Sequence, residues 1–486
     1  MVELDQSARD YSMISLGDIK VSNEAADGNK IDLDASGESA GAIHLAGDTL
    51  TLDAAFVFSD TQGAGTGGTL KVIAETELAM SNGSRITTDT TDGGIGGDLN
   101  IHAGLVSMTG TNTAIAASTI EAGGAAGEIM IIADAISIED QAQISSVSST
   151  TADGGDITLN TGTLVLASGG QITGQAASRG DGANVTIVAS QSVSIDATGL
   201  AAGDASGIRV DSINFLPFFT GGDAGDITIT SPKLTLTGGA VITAEAILPS
   251  SGAPGAITLN VDDLDIQSGS TVSTLTASNA DAGAITIKAN TIDLAGAGSG
   301  LNSTARRGGQ GGSIIINAAE FAMSGGAVAD TSTEAEGSAG EIVINLSGGF
   351  VLTGSGTTLA SQSSDAGLGG SISVSAGTIQ FLDNGVLSVT ASGDGDAGNI
   401  TLAATDRLHI FDGAEVQTNA VNSGGGNITV EVIDTIYLRD ATLTASAGGS
   451  EAGDNGGNIF IDPIFLILDN ASIVAQAFAG NGGIIE

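Results

Sequence analysis

A five-residue pattern, Gly-x-[Ile/Leu/Val]-x-[Ile/Leu/Val], recurs along the whole chain and leaves few folds open to it. Copies include GAIHL (41–45), GDLNI (97–101), GDITL (155–159), GAITL (255–259), GEIVI (340–344), GNITL (398–402) and GNIFI (457–461). Ala183 takes the Gly position in ANVTI (183–187), a weaker copy, GDIKV, opens at Gly17, and a shortened one opens at Gly483, giving 17 starts. Most neighbouring starts lie 26–31 residues apart; the exceptions are 24 from Gly17 to Gly41 and 42 from Ala183 to Gly225. A period near 29 kept over so many copies marks a solenoid.

One unit, GDITLNTGTLVLASGGQITGQAASRGDG (155–182), shows what each turn contains. Ile157 and Leu159 alternate with Asp156 and Thr158, Leu164 and Leu166 alternate with Thr163 and Val165, and Ile172 follows Gly169-Gly170. These are three short strands of period two separated by Gly, Ser, Thr and Asn corners. No helical spacing is sustained. The expected fold is therefore all-β: a right-handed, single-stranded parallel β-helix with three short strands per coil and about 16 coils of roughly 29 residues. Residues 1–16 read as a lead-in and 17–486 as a continuous β-helix with an inserted loop at about 199–224. Corner Gly and Asn suit positive φ, and the 5 Pro residues agree with a chain that must keep its ladders intact.

Composition narrows the function. Against 56 acids the chain has 13 bases, a net charge of −43, so nucleic acid and anionic membrane are poor partners. The acids are spread out, as on a solvated acidic surface. Cys and Trp are absent and aromatics are only 3%, which predicts a thin core of stacked Ile, Leu, Val and Ala with no thiol chemistry. No run is long and apolar enough for a membrane span, and the first residues, MVELDQSARDYSMISLGD, do not read as a signal peptide.

Units such as GGDITLNTGTLVLASGGQITGQAASRGDG (154–182), AGDITITSPKLTLTGGAVITAEA (224–246) and GGNIFIDPIFLILDNASIVAQAFAGNGG (456–483) resemble the passenger repeats of filamentous-haemagglutinin-like exoproteins of bacterial two-partner secretion. The resemblance covers nearly the whole chain. It implies a secreted, cell-surface adhesin of a Gram-negative-type bacterium, exported by an outer-membrane partner and attaching to glycans or proteins of host or neighbouring cells. That family carries a signal peptide and a secretion domain with Asn-Pro-Asn motifs. No Asn-Pro-Asn occurs here, so the stretch is expected to be an internal or C-terminal part of such a protein, with more coils or a cap beyond Gly483.

Residues able to carry chemistry are few. His44, His102 and His409 each occupy an outward slot, with His44 and His102 expected about 10 Å apart if they stack. Asp263 and Asp265 in VDDLDI share an outward face beside Asp262, and the nearest bases are Lys233 and Lys288 in adjacent coils. A β-helical polysaccharide lyase or hydrolase would need convergent carboxylates and a base; a solvated strand face is the plainer reading of this run. No catalytic residue, cofactor or metal ligand is assigned. The acidic corners DGDAGN (394–399) and EAGDNGGN (451–458) are candidates for weak structural Ca²⁺. Thr in the outward slots is too interrupted for an ice-binding plane. Phe215, Leu216, Phe218 and Phe219 around Pro217 form a candidate apolar contact patch in the insertion. The expectation is a non-enzymatic shaft and binding surface of a secreted adhesin, with a carbohydrate-active β-helical enzyme as the alternative.

Overall fold

The recurring pattern stacks on itself. Ile257 pairs with Ile285, Ile285 with Ile314, Ile314 with Ile342 and Ile342 with Ile372, all parallel and in register. The same column runs back through Val185, Ile157 and Ile129 and on to Ile400, Ile428 and Ile459. In the computed structural model, which describes residues 17–22, 31–214, 220–451 and 453–486, these ladders build a right-handed parallel β-helix of about 15 turns. The lead-in 1–16 lies outside the described residues. One sheet has 16 strands, so 15 steps of roughly 4.8 Å make a rod about 70 Å long.

Each coil has three limbs, as its alternation predicts, but the first two are joined. In the unit above they form one bent strand, Ile157–Ala167, and the third limb is Gln171–Thr173. In other coils the two separate, as Ile285–Lys288 and Thr291–Ala295 do. The bend therefore needs no turn residues of its own. Within 199–224, Gly207–Arg209 is an ordinary third limb, in register with Gln171–Thr173 below and Val241–Thr243 above. The added residues precede and follow that limb in the sequence. Those before it hold a 3-10 turn, Ala202–Asp204, the only helical element among the described residues.

GDIKV (17–21) differs from expectation. Ile19 pairs with Leu50, in the second-limb column, rather than with Ile43. The first interval is short because this copy belongs to the second limb of its coil.

Burial holds the coils together. Ile157, Leu159, Leu164, Leu166 and Ile172 are all fully buried, each such side chain contributing about 1.5–3 kcal/mol. The core is not entirely aliphatic. Phe321, Phe350 and Phe381 pack on one another from coil to coil, tilted and then edge-on, at ring distances of 5.3 and 5.9 Å. Phe350→Ala should therefore lower the unfolding free energy by about 3–5 kcal/mol. Denaturant unfolding measures it, and a loss under about 1 kcal/mol would contradict this packing.

The corner before each first limb explains the recurrent Gly. A Cβ on Gly398 would lie 1.7 Å from the carbonyl oxygen of Gly370, the corresponding residue one coil below. The requirement is close backbone approach, not positive φ. Positive φ belongs instead to the corner between second and third limbs, as at Gly169 (φ 88) and Asn384 (φ 64). Small hydroxyl residues behind the first corner complete it: Ser361 donates to the carbonyl of Gly340 at 2.7 Å and Thr418 to that of Gly426 at 2.6 Å. Ala183 fits because its neighbour in that column is Gly174, so a methyl and a hydrogen have changed places.

Candidate functional site

Among the described residues, the bend between first and second limbs repeats from coil to coil and forms an axial groove. Three cavities lie along it. The largest, about 1000 Å³, runs from Ala189 to Ser375. One of about 440 Å³ holds Glu75, His102 and Asp134, and one of about 490 Å³ holds Glu431, Asp462 and Ile464. Aliphatic side chains without rings, Ala in several coils, keep the bend open. Ala189, Val261, Ala289, Ala318 and Leu346 line the floor of the central cavity.

One lip of that cavity is a straight polar row. Thr230, Asn260, Lys288, Asn317, Asn345 and Ser375 are successive register partners. Five steps of about 4.8 Å spread them over roughly 24 Å. The opposite lip holds Pro232, Asp262, Asn290 and Ser347. Asn345 donates an amide hydrogen to Asn317 Oδ1 at 3.3 Å. Asp262 and Lys288 are the only charged side chains lining the cavity, in a chain of net charge −43.

The acidic run behaves as its alternation predicts. Leu264 and Ile266 are fully buried and Asp263 and Asp265 face outward, while Asp262 turns to the groove. The structure brings a base closer than sequence distance suggests: Lys233 Nζ lies 3.0 Å from Asp265. Asp265 holds the Lys233 ammonium above its ordinary pKa. Asp263 accepts the Thr291 hydroxyl at 2.6 Å. This is a paired, exposed strand face, and an ion pair so open to solvent adds little to stability.

His44 and His102 do not stack. His44 shares a column with Lys71 and Asn100, and His102 one with Ala46 and Ile73. His409 lies against Phe411 at 4.9 Å, Tyr437 packs edge-on to Phe411 at 4.8 Å, and Arg439 covers the Phe411 ring at 4.5 Å. Arg439 also donates to both oxygens of Asp412 at 2.8 Å. This aromatic and cationic cluster escapes a linear reading because its members are spread over 31 residues. Phe215, Leu216, Phe218 and Phe219 lie outside the described residues.

Many acids have a structural task that their scatter conceals. Asp226 accepts the backbone N–H of Ala256 at 2.7 Å, Asn184 that of Asp226 at 2.8 Å and Asp396 that of Gly424 at 2.9 Å. Corner Asx side chains thus cap amides of the coil above, the same chemistry as a helix N-cap. Within the two corners proposed for Ca²⁺, Asp396 takes this N–H and the Ser423 hydroxyl, and Asp454 takes the N–H of Glu451 at 2.8 Å. Among the described residues, no three acidic or His side chains are grouped to hold a metal ion.

Two stacked acid pairs sit deeper, in one column after the third limb. Asp89 lies over Asp60, and its N–H donates to Asp60 at 2.9 Å. Glu245 lies over Asp211, with its N–H donating to Asp211 at 2.9 Å and the Thr243 hydroxyl at 3.0 Å. Asp89 is 6% and Asp211 1% exposed. Burial pushes all four carboxyls up, Asp89 to about 6 and Glu245 to about 7, and the neighbouring acid adds to the shift in Asp89 and Glu245. No family model, characterised protein or solved structure matches the chain, so the resemblance to haemagglutinin-like passengers rests on the repeat itself.

Proposed function

We propose that this chain is the non-enzymatic shaft and binding surface of a secreted bacterial adhesin of the filamentous-haemagglutinin kind. The observation that carries the reading is the continuity of the inward columns over about 15 turns, kept through the lengthened coil on both sides of the register shift between Val188 and Ser192. Continuous hydrogen-bonded ladders resist bending, and such a rod holds surface sites away from a cell. The outward faces and grooves are where host or neighbouring-cell glycans and proteins would be met. Exposure outside the cell and export through an outer-membrane partner follow from the same reading.

Beads coated with the protein should attach to epithelial or bacterial cells more than beads coated with an unrelated acidic protein. Equal attachment across a panel of cell types would refute the adhesin. The alternative, a carbohydrate-active β-helical enzyme, is tested by incubation with polyuronides with and without Ca²⁺. Unsaturated or shortened products would replace the shaft reading with that one.

A further inference from the structure

We infer that the central groove binds a linear, uncharged polysaccharide lying along the rod axis. This rests on the reading of the rod as a binding surface and adds a place and a ligand class to it.

Three observations converge. The first is spacing: the lip from Thr230 to Ser375 offers one polar side chain per coil in register. Steps of about 4.8 Å are close to the advance of one pyranose unit in an extended chain, so each successive sugar meets a polar side chain, Asn in three of the six positions. The second is chemistry. Asn260, Asn317 and Asn345 have both donors and acceptors for hydroxyls, above a floor of Ala, Val and Leu that suits the C–H faces of a sugar ring. The third is charge. Asp262 and Lys288 offset each other, whereas the flanking cavities hold Glu75 with Asp134 and Glu431 with Asp462. The central groove is a neutral stretch of an acidic rod, and the field of the whole chain repels polyanions from it.

An extended peptide fits less well. Its side chains on one face repeat at about 6.6 Å, out of step with the lip. The strands at the groove already pair on both sides, so no open edge is available for strand addition.

The test uses the whole chain and calorimetric titration with soluble β-linked gluco-, manno- and galacto-oligosaccharides, an oligouronate and an extended polar peptide. At least one neutral oligosaccharide should bind, with little salt dependence. Asn317→Ala combined with Asn345→Ala should weaken it about tenfold or more, near 1.4 kcal/mol. Asn160→Ala, in the same column but outside the cavity, should leave binding unchanged, and circular dichroism checks the fold of each variant. The inference fails if no neutral oligosaccharide binds, if the oligouronate or peptide is preferred, or if the double variant binds as the parent does. Cell attachment unaffected by the double variant, alongside a failed titration, would sink the groove and leave the shaft standing.

Discussion

Gly398→Ala should destabilise the β-helix by on the order of 3 kcal/mol or more, although it adds one methyl group to a residue of ordinary φ. The new Cβ would sit 1.7 Å from the carbonyl oxygen of Gly370 and 2.5 Å from that of Gly369. Neither neighbour is a flexible side chain that can swing away. Relief requires the two coils to part at this corner, which breaks the ladder between Ile372 and Ile400. Gly269→Asn is the matched control. Its φ is +81°, and the nearest atom to an added Cβ is a carbonyl oxygen at 3.8 Å. Asn tolerates that conformation, so the loss there should stay near 1 kcal/mol. Because solenoids unfold by segments, hydrogen exchange of the amides from 371 to 411 is the sharper readout. Gly398→Ala should accelerate exchange there and spare the coils before Gly340. Exchange equal to that of the parent would mean that close packing at the first corner is not what demands glycine.

This contrast shows what the sequence disclosed and what it withheld. The period, the three limbs and the inward residues were legible because each limb alternates strictly and each corner has its own composition. GDIKV at Gly17 satisfies a pattern that first and second limbs can both meet, so the repeat alone does not tell its limb; only pairing with Leu50 separates them. Neighbours between coils were harder still. Lys233 reaches Asp265 across 32 residues, and Asp211 meets Glu245 across 34. One residue more or less in an intervening corner changes which side chains share a column, as it does for His44 and His102. The groove was hidden for a related reason. Ala at the bend looks like any other small core residue until coils are laid in register.

The other large effect expected is a protein that becomes more stable as pH falls from about 7.5 to 5. Each buried acid of the two stacked pairs has its folded-state pKa raised above that of the unfolded chain. Such a group favours the folded state fully below its unfolded pKa, near 4, and that contribution is lost as pH rises through the folded value. With Asp89 at about 6 and Glu245 at about 7, the loss spans roughly pH 4 to 7. Asp330 and Asp293 shift the same way. His44 and His409 oppose the trend, because burial lowers their pKa and disfavours the cation in the folded state. Asp34 and Asp196, held low by hydrogen bonds around Ser36 and Thr198, lose their contribution only at more acid pH. The acid pairs carry the larger shifts, so the net slope follows them. Replacing the upper pair, Asp211→Asn with Glu245→Gln, should raise stability at pH 7.5 by on the order of 2–3 kcal/mol and flatten the slope. An amide oxygen can still accept the N–H of Glu245 that Asp211 accepts at 2.9 Å. Arg209 and Arg306, which face this pair, stay in place; the change removes the buried negative charge and one acceptor for the Thr243 hydroxyl, which can turn to accept from the new amide instead. Thermal unfolding of parent and variant from pH 5 to 8 decides it. A parent that loses stability between pH 7.5 and 5, or a variant no more stable than the parent at pH 7.5, would show that the stacked carboxyls are not buried at the cost their packing implies.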